Sequence, residues 1–466
     1  MKNNQTKYDV IIIGAGFSGL AAALRLKPYK LKVLILEADD DIGGRSWNKV
    51  LDDGTIVELG GQWVGWQHQR MLSFINKYKL QKYTTPPFPE GKTLFQYNGK
   101  IIDEFPEEAM LLVNNFDNLT KEIDLEKPWM HPNAKLWDNI TFEHWLEMQD
   151  ATVYAKKMVG RIIAGGLLSR DTSHISMLQA LFYVASNAGF DVATSSEKGA
   201  QHYRVIGGSY KIARKMVGDL KGTDIILNEP VTVINYDQEC ATVLSMNNNV
   251  YQGKYLIIAI PPVLASKIHY HPSLGSQYYG LLQNFPGGDA LKVHFVYERP
   301  FWIEDNNSGN VYLQEGWLTE VTDNTTPSDP HAILTGFIYG NKKRELIQKD
   351  LEERKKLLLN ELALFFGEEA KNILQYIEYD WLNSPWTGGC FSGSLRIGCW
   401  TSYGPYLRRP IGAIHWASTE LSIHFNGYFE GAVLSGERTA DEIIKKLKVK
   451  KPKIKKILPN CKVKCN

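Results

Sequence analysis

The chain has 466 residues, enough for two or three domains of ordinary size. Hydrophobic residues make up 44% of it and charged residues 22%, close to a globular average, which excludes a mainly disordered, collagenous or disulfide-stapled chain. With 53 Lys and Arg against 51 Asp and Glu, the net charge of +2 gives no general attraction to nucleic acid, and none is expected as a partner.

The first predicted elements are a strand, a tight turn and a helix, in the stretch YDVIIIGAGFSGLAAALRL. Residues 10–13 form a short apolar run, as in a parallel strand that is buried on both faces. The glycines that follow fit the pattern G-x-G-x-x-G. Gly14 permits the tight turn, Gly16 lets the backbone approach a pyrophosphate, and Gly19 lets helix and strand pack closely. Pro28 falls where the helix should end.

A second predicted strand, LKVLILEADD, ends in Glu37, about 20 residues after the glycines, where a carboxylate accepts hydrogen bonds from ribose hydroxyls. The next segment, DDDIGGRSW, contains Gly44 and Arg45, which offer close backbone approach and a bidentate ligand for phosphate. Each element by itself also fits an ordinary turn. Two phosphate-binding elements this close together favour FAD in an extended form over NAD.

Further helices and strands are predicted along the rest of the chain, followed by a second segment with the features of a nucleotide-binding site. Residues 83–150, rich in Pro, Trp and charged residues, predict amphipathic helices and loops, and residues 257–260 predict a buried strand. LKVHFVYERPFW alternates as a strand does, and DLEERKKLLLNELALFFG predicts an amphipathic helix. A glycine-dense segment, WTGGCFSGSLRIG, precedes a small-residue helix near the C terminus. Because features of a nucleotide-binding site stand near both ends of the chain, we predict a cofactor-binding domain that is discontinuous in sequence and interrupted by insertions.

Cysteine usage and hydropathy indicate the compartment. Five cysteines at scattered positions argue against a disulfide framework, the start lacks the apolar core of a signal peptide, and no uninterrupted apolar run reaches about 18 residues. We therefore expect a soluble, cytoplasmic protein without a transmembrane anchor. The lysine-rich C-terminal stretch predicts a solvated tail, with weak peripheral contact to an anionic membrane as the alternative.

Seven motifs follow one another along the chain, in the order GAGFSGL, LEADDDIGGRSW, VELGGQWVG, IAIPP, LKVHFVYERPFW, TGGCFSG and HFNGYFEGAVLSGERTA. Together they resemble the motifs of the flavin-containing amine oxidases, and those of the monoamine oxidases most of all. The resemblance runs from about Tyr8 to Lys446. It implies an α/β protein with a Rossmann-like, discontinuous FAD-binding domain of the GR2 type and an α+β substrate-binding domain of mixed sheet and helices. It also implies oxidation of a C–N bond, with O2 reoxidising the flavin and releasing H2O2.

The domain limits that the resemblance implies divide the chain into alternating segments. The FAD-binding domain is expected over residues 1–82, 207–281 and 384–445, the substrate-binding domain over 83–206 and 282–383, and a basic tail over 446–466. A homodimer is an expectation from the family alone.

The resemblance also implies a set of FAD-binding residues. Monoamine oxidases carry, at the Gly-Gly-Cys position of Cys390, a thioether to the flavin 8α-methyl group, whereas putrescine oxidase has another residue there and holds FAD non-covalently. From its neighbours alone, Cys390 is only an accessible thiol or a buried free cysteine. The resemblance therefore predicts covalent FAD. The residues expected to bind FAD are Gly14, Gly16, Gly19, Glu37, Gly44, Arg45, Gly61, Gln62, Trp63, Val231, Trp381, Cys390, Glu420 and Gly427.

Three residues match catalytic positions of the family. Lys292 lies in the middle of a predicted strand, where a lysine is costly unless it is hydrogen-bonded, and it matches the lysine that holds a water against flavin N5. Phe391 and Tyr428 match the two aromatic residues that flank the substrate amine, although the first is commonly tyrosine. Gln201 and Phe337, together with this aromatic pair, are expected to bind substrate.

The predicted function is oxidation of a primary monoamine to an imine and then an aldehyde, with FAD as cofactor and O2 reduced to H2O2. Two alternatives within the family are a putrescine or polyamine oxidase, which needs an acidic residue in the cavity, and an L-amino-acid oxidase, which needs an arginine. The placed cavity residues include neither, although Glu197 or Arg204 is close enough in sequence to supply one. A non-oxidase FAD-binding protein is a third alternative. No motif for a metal site is present.

Overall fold

The computed structural model describes residues 7–85 and 91–450. Its strands are β1 (Lys7–Ile13), β2 (Val33–Leu36), β3 (Asn48–Val50), β4 (Ile56–Glu58), β5 (Lys82–Thr84), β6 (Lys92–Tyr97), β7 (Lys100–Ile102), β8 (Tyr203–Val205), β9 (Asp224–Ile226), β10 (Val231–Tyr236), β11 (Ala241–Ser245), β12 (Val250–Ile258), β13 (His269–His271), β14 (Ala290–Tyr297), β15 (Asn307–Leu313), β16 (Glu320–Asp323), β17 (Ala332–Tyr339), β18 (Gln375–Asp380) and β19 (Ile414–Trp416).

The helices complete the described structure. The α-helices are α1 (Phe17–Leu26), α2 (Gln69–Lys77), α3 (Glu107–Thr120), α4 (Ala134–Asn139), α5 (Phe142–Glu147), α6 (Val153–Gly160), α7 (Met177–Ser186), α8 (Phe190–Thr194), α9 (Tyr210–Asp219), α10 (Pro262–Ala265), α11 (Ser276–Gln283), α12 (Gly340–Leu346), α13 (Leu351–Phe366), α14 (Cys399–Tyr403) and α15 (Phe429–Leu447). A π-helix covers Arg161–Leu167. Short 3₁₀ helices cover Lys27–Tyr29, Pro128–Met130, Thr172–His174, Phe301–Asp305, Glu368–Lys371, Trp381–Asn383, Gly404–Tyr406 and Thr419–Leu421.

The first sheet contains the predicted N-terminal strand-turn-helix. Its order is β13-β10-β11-β12-β1-β2-β9, with β19 pairing the end of β12, and β1 is parallel to both β2 and β12. Residues 10–13 of β1 are buried on both faces, since Val10 and Ile12 pack in one apolar cluster with α1 and α15 while Ile11 and Ile13 belong to a second cluster. The helix α1 ends at Leu26, just before Pro28, as predicted. The β1–α1 turn therefore stands where the carboxyl ends of parallel strands meet, the usual place for a nucleotide.

The second sheet has the order β18-β14-β17-β16-β15-β6-β7. Strand β14 hydrogen-bonds to β17 and β18 on its two sides and is buried along its whole length. The predicted alternation is confirmed, since Val293, Phe295 and Tyr297 share one apolar cluster. Lys292 lies on the opposite face.

One row of side chains crosses this sheet. In the antiparallel pairing, Lys292 of β14 lies opposite Phe337 of β17, and Phe337 lies opposite Glu320 of β16. Residues that are directly opposite point to the same face, so the three side chains form one row, which we call the cavity row. Because neighbouring strands are about 4.8 Å apart, its two ends are separated by about 10 Å along the sheet.

The predicted α/β class with a second, mixed sheet is confirmed. The first sheet draws its strands from residues 7–36, 224–271 and 414–416, and the second from 92–102 and 290–380. The exact domain limits stay a prediction. Of the predicted basic tail, residues 451–466 lie outside the described part of the chain. Within residues 7–85 and 91–450, none of the helices combines the length and apolarity that a bilayer span requires.

A buried ion pair ties β4 to β8. Arg204 donates from Nε and Nη2 to Glu58 Oε2 at 3.1 and 2.6 Å, and each of the two residues is only 1% exposed. The other Glu58 oxygen accepts the backbone N–H of Ser209 at 2.8 Å. Removal of the carboxylate would leave a buried guanidinium without its counter-charge.

We therefore expect Glu58→Ala to lower the free energy of unfolding by about 3–5 kcal/mol, the usual cost of breaking a buried pair from one side. Urea denaturation measures this effect. The matched control is Asp441→Ala, which breaks the half-exposed Arg25–Asp441 pair and should cost less than about 1 kcal/mol. Equal effects of the two changes would contradict the prediction.

Candidate active site

A cavity takes its wall from both sheets, and it is lined by the glycine turn after β1 as well as by aromatic side chains, which is the lining that a dinucleotide and a small substrate together need. The structure brings most of the predicted site residues to this wall. They are Gly14, Gly16, Glu37, Gly44, Arg45, Gly61, Gln62, Trp63, Gln201, Lys292, Phe337, Trp381, Cys390, Phe391, Gly427 and Tyr428.

The three glycines after β1 have the geometry that a dinucleotide site needs. Gly14 has φ +102°, and a Cβ there would lie 2.8 Å from the Ala259 carbonyl oxygen. No atom lies within 4 Å of a Cβ built on Gly16, so the backbone is open to the cavity. A Cβ on Gly19 would lie 2.0 Å from the Gly14 oxygen, which explains its role in helix–strand packing although it does not line the cavity.

Glu37 stands beside this turn at the cavity wall. Its carboxylate accepts the N–H groups of Ala15 at 2.5 Å and of Asp39 at 3.0 Å. Burial raises the pKa of Glu37, and the backbone donors oppose that rise. The group is thus fixed where the predicted ribose contact requires an acceptor, and the glycine cradle and this carboxylate together fit FAD.

Arg45 and Glu420 form a pair that the sequence did not predict. Arg45 donates from Nη1 to Glu420 at 2.6 Å and to the Phe391 carbonyl at 2.8 Å, while the Gly393 N–H also reaches Glu420 at 3.0 Å. Burial alone would raise the pKa of Glu420, but Arg45 and the Gly393 N–H overcome it and lower the pKa. Arg45 lines the cavity, and Glu420 holds it from behind.

Two of the predicted cofactor contacts stand apart from the other residues of the cavity wall, and their contact with FAD stays a prediction. The carboxylate of Glu420 is bound by Arg45. Val231, at the start of β10, packs against an apolar core.

Lys292 is only 5% exposed, and its burial is compensated by three oxygen acceptors. Its Nζ donates to the carbonyls of Glu58 at 2.6 Å and Gly60 at 2.9 Å, and to Gln62 Oε1. The Gln62 amide is oriented in turn by Asn324, which accepts from Gln62 Nε2 at 2.7 Å. Burial lowers the pKa of Lys292 to about 7. The expectation that this lysine must be hydrogen-bonded is confirmed.

The two predicted aromatic walls are held by different neighbours. Phe391, which has φ +47°, meets Phe337 edge to face with ring centroids 6.0 Å apart. Tyr428 packs its ring against His68 at 5.2 Å and donates its hydroxyl to the Ala193 carbonyl at 3.3 Å. Both residues line the same cavity and contribute aromatic rings to its wall.

Cys390 is a buried thiol at the cavity wall. It is 5% exposed, its N–H donates to the Gly288 carbonyl at 3.1 Å, and its Sγ lies 3.5 Å from the same oxygen. Burial raises the pKa of the thiol to about 11, so the group is protonated at neutral pH. Trp381, whose Nε1 donates to the Leu59 carbonyl at 2.9 Å, lines the same cavity.

The structure adds an acidic residue that sequence reasoning missed. Glu320, at the far end of the cavity row, lines the cavity and accepts a hydrogen bond from Tyr339 at 2.6 Å. Burial raises its pKa to about 7. Glu197 is exposed and Arg204 is bound to Glu58, so neither takes the place considered for it. The substrate-cavity residues placed from the sequence did not include this acid, because strand register, which no local pattern reveals, puts Glu320 there.

We expect Gly19→Ala to reduce the flavin content of the purified protein at least twofold, since the new methyl must displace the Gly14 carbonyl. The ratio of flavin to protein absorbance measures this. Gly218→Ala is the matched control, because nothing lies within 4 Å of a Cβ there. A Gly19→Ala protein that keeps full flavin would contradict the role of Gly19 in shaping the turn.

Comparisons with known proteins show the family to which the chain belongs. The chain matches the family model "Flavin containing amine oxidoreductase" over residues 17–444. It is 33% identical over 451 residues to amine oxidase [flavin-containing] B of Canis lupus familiaris, covering 94% of this chain and 86% of the relative. It is 32% identical over 456 residues to the L-amino acid dehydrogenase of a Synechocystis strain, covering 94% of each.

A solved structure of wild-type putrescine oxidase bound to putrescine superposes with a TM-score of 0.90 at 34% identity, covering 94% of this chain and 99% of that one. With the FAD cradle and the aromatic cavity described above, the chain belongs to the flavin-containing amine oxidoreductases.

Proposed function

We propose that the protein is an FAD-dependent amine oxidase that uses O2 as acceptor and prefers a primary amine with a second positive charge, such as a short diamine. Glu320 carries this proposal, because it supplies an acid at one end of the cavity row while Lys292 marks the other. When bound, FAD accepts a hydride from the carbon that bears the amine. The presence of Glu320 removes the reason for expecting a monoamine first.

The dimensions of the cavity row suit a short diamine. Five bonds of about 1.5 Å join the nitrogens of a four-carbon diamine, which spans about 6 Å when extended. The row is about 10 Å long between the backbones of β14 and β16. A four-carbon diamine is therefore shorter than the row, and the aromatic pair and Glu320 line the same cavity that would hold it.

Electrostatics favours the same substrate. A second ammonium in an apolar cavity costs several kcal/mol unless it meets an acid. Glu320, with its pKa near 7, ionises more readily when a cation arrives beside it, since an opposite charge favours the carboxylate. The Tyr339 hydroxyl donates to one carboxylate oxygen and leaves lone pairs for the substrate.

An amino-acid substrate has less support. Among the described residues that line the cavity, Arg45 is the only arginine, and Glu420 holds its guanidinium. Recognition of an amino-acid carboxylate needs a free guanidinium or an equivalent donor.

A primary monoamine is the second candidate, because the walls of the cavity are largely aromatic. Trp63, Phe337, Phe391 and Tyr428 offer a surface on which an apolar body gains about 25 cal/mol per Å² on leaving water. A protonated Glu320 would tolerate such a body.

The roles of the remaining residues follow from their positions. The Phe391 and Tyr428 rings orient the neutral amine and exclude water from the reacting carbon. Lys292, in its protonated form, would supply a positive charge that stabilises the reduced oxygen species. Cys390, a thiol on the wall of the FAD cavity, supports the proposal of a covalent bond to the flavin.

The substrate proposal is tested by a peroxide assay with putrescine and phenylethylamine. We expect at least tenfold higher kcat/KM for putrescine. Glu320→Gln should lower that value at least 30-fold, because loss of a desolvated charge partner costs about 2 kcal/mol or more. The kcat/KM for phenylethylamine should change less than threefold in Glu320→Gln. The exposed control Glu197→Gln should change kcat/KM for neither substrate. A tenfold preference for phenylethylamine in the wild type would establish the monoamine instead.

Lys292→Met should slow flavin reoxidation by O2 at least tenfold and anaerobic reduction by amine much less, because the lost cation acts on the oxygen step. In the wild type, reoxidation should slow as pH rises through about 7, where Lys292 loses its proton, and the variant should lack this dependence. Stopped-flow absorbance measures both half-reactions, with the exposed Lys267→Met as control. Equal slowing of both would assign Lys292 a structural role.

Acid precipitation of the wild type should leave yellow flavin on the polypeptide, and Cys390→Ala should release it. Cys399→Ala, a buried cysteine outside the cavity wall, is the control and should retain the flavin. Complete release of FAD from the wild type would refute the thioether without affecting the proposed oxidase activity.

A further inference from the structure

The π-helix Arg161–Leu167 is an unusual feature of the cavity wall. It continues α6, has the sequence RIIAGGL, and contributes Gly166 and Leu167 to the cavity. Such helices are rare and occur mostly as single turns at functional sites. Each glycine inside a helix costs about 1 kcal/mol relative to alanine, so two in succession need a reason.

The reason lies in what the two glycines face. A Cβ on Gly166 would lie 2.8 Å from Glu320 Oε2, closer than real Cβ contacts come. A Cβ on Gly165 would lie 3.2 Å from the Tyr339 ring and 3.4 Å from the Thr319 methyl. The missing side chains thus leave the space that the hydrogen-bonded Glu320–Tyr339 pair occupies.

The π-helix is fixed against the strand that carries Glu320. Arg161, its first residue, donates from Nη2 to the Leu318 carbonyl at 2.7 Å and to the Thr319 hydroxyl at 3.2 Å, just before β16 begins. Beyond its other end, the Ser169 carbonyl accepts the N–H of Asp289 at 3.0 Å, just before β14 begins. Because the backbone is held on both sides, a methyl group added at Gly166 displaces the carboxylate more readily than the helix.

We propose that Gly166 is a specificity-determining residue, which selects substrates with a second ammonium by keeping room for the carboxylate of Glu320 at the cavity wall. The proposal rests on the proposed diamine oxidase function. A side chain at this position would push the carboxylate away from Tyr339 and replace a polar end of the cavity with an apolar one. That change favours a monoamine.

The test is Gly166→Ala in the full-length holoenzyme, with flavin content and thermal unfolding recorded to confirm folding. We expect kcat/KM for putrescine to fall at least tenfold, mainly through a higher KM, because the acid that binds the second ammonium is displaced. The kcat/KM for phenylethylamine should change less than threefold. Gly218→Ala on the exposed face of α9 is the matched control and should leave both values unchanged.

A double-mutant cycle with Glu320→Asp tests the contact itself. Aspartate is one methylene shorter and withdraws its carboxylate from the added methyl, so Gly166→Ala should change the putrescine value less than threefold in the Glu320→Asp background. If Gly166→Ala alone fails to fold, comparison of the double variant with Glu320→Asp still tests the contact between position 166 and the carboxylate. Full additivity of the two substitutions would overturn the proposal.

Two results separate this inference from the function on which it rests. If the wild type prefers putrescine and a folded, flavin-loaded Gly166→Ala enzyme keeps its substrate ratio within twofold, the role of Gly166 is refuted and the diamine proposal stands. If the wild type prefers phenylethylamine tenfold, the diamine proposal fails, and the role of Gly166 fails with it.

Discussion

The structure of this protein depends on the hydrogen bonds that stabilise one buried cation. Lys292 lies inside the second sheet, yet its three acceptors belong to the last residue of β4 and the segment after it, 230 to 234 residues earlier in the chain. An ammonium without partners in such a place would cost several kcal/mol, so these hydrogen bonds bind the two parts of the chain at one point. The cavity lies around this point, and its wall takes residues from both.

The same sheet then distributes charge along the cavity. A cation and an acid stand at the two ends of the cavity row with an aromatic ring between them. Burial acts on both ends in opposite senses, lowering the pKa of Lys292 and raising that of Glu320, so that both are near 7. Groups with such pKa values respond strongly to an arriving charge, which is the property that the proposed reduction of O2 at one end and the proposed recognition of an ammonium at the other require.

The similarity to relatives with different named substrates has a physical explanation. An amine oxidase, an L-amino acid dehydrogenase and a putrescine oxidase are each similar to this chain at 32–34% identity over most of their length. A shared fold says little about the substrate, because function depends on the residues of the site. In the function proposed above, selection rests on a few side chains at the cavity end, where Glu320 and Gly166 lie.

The sequence by itself determined the features that depend on near neighbours. The strand, glycine turn and helix after Tyr8 follow from an apolar run and three glycine positions, and the buried faces of β14 follow from alternation. Tertiary structure alone decided which distant residues meet. Glu420 forms an ion pair with Arg45, and strand register places Glu320 at the cavity wall. Pairing between strands far apart in the chain leaves no periodic trace in either strand, so these positions emerged only from the fold.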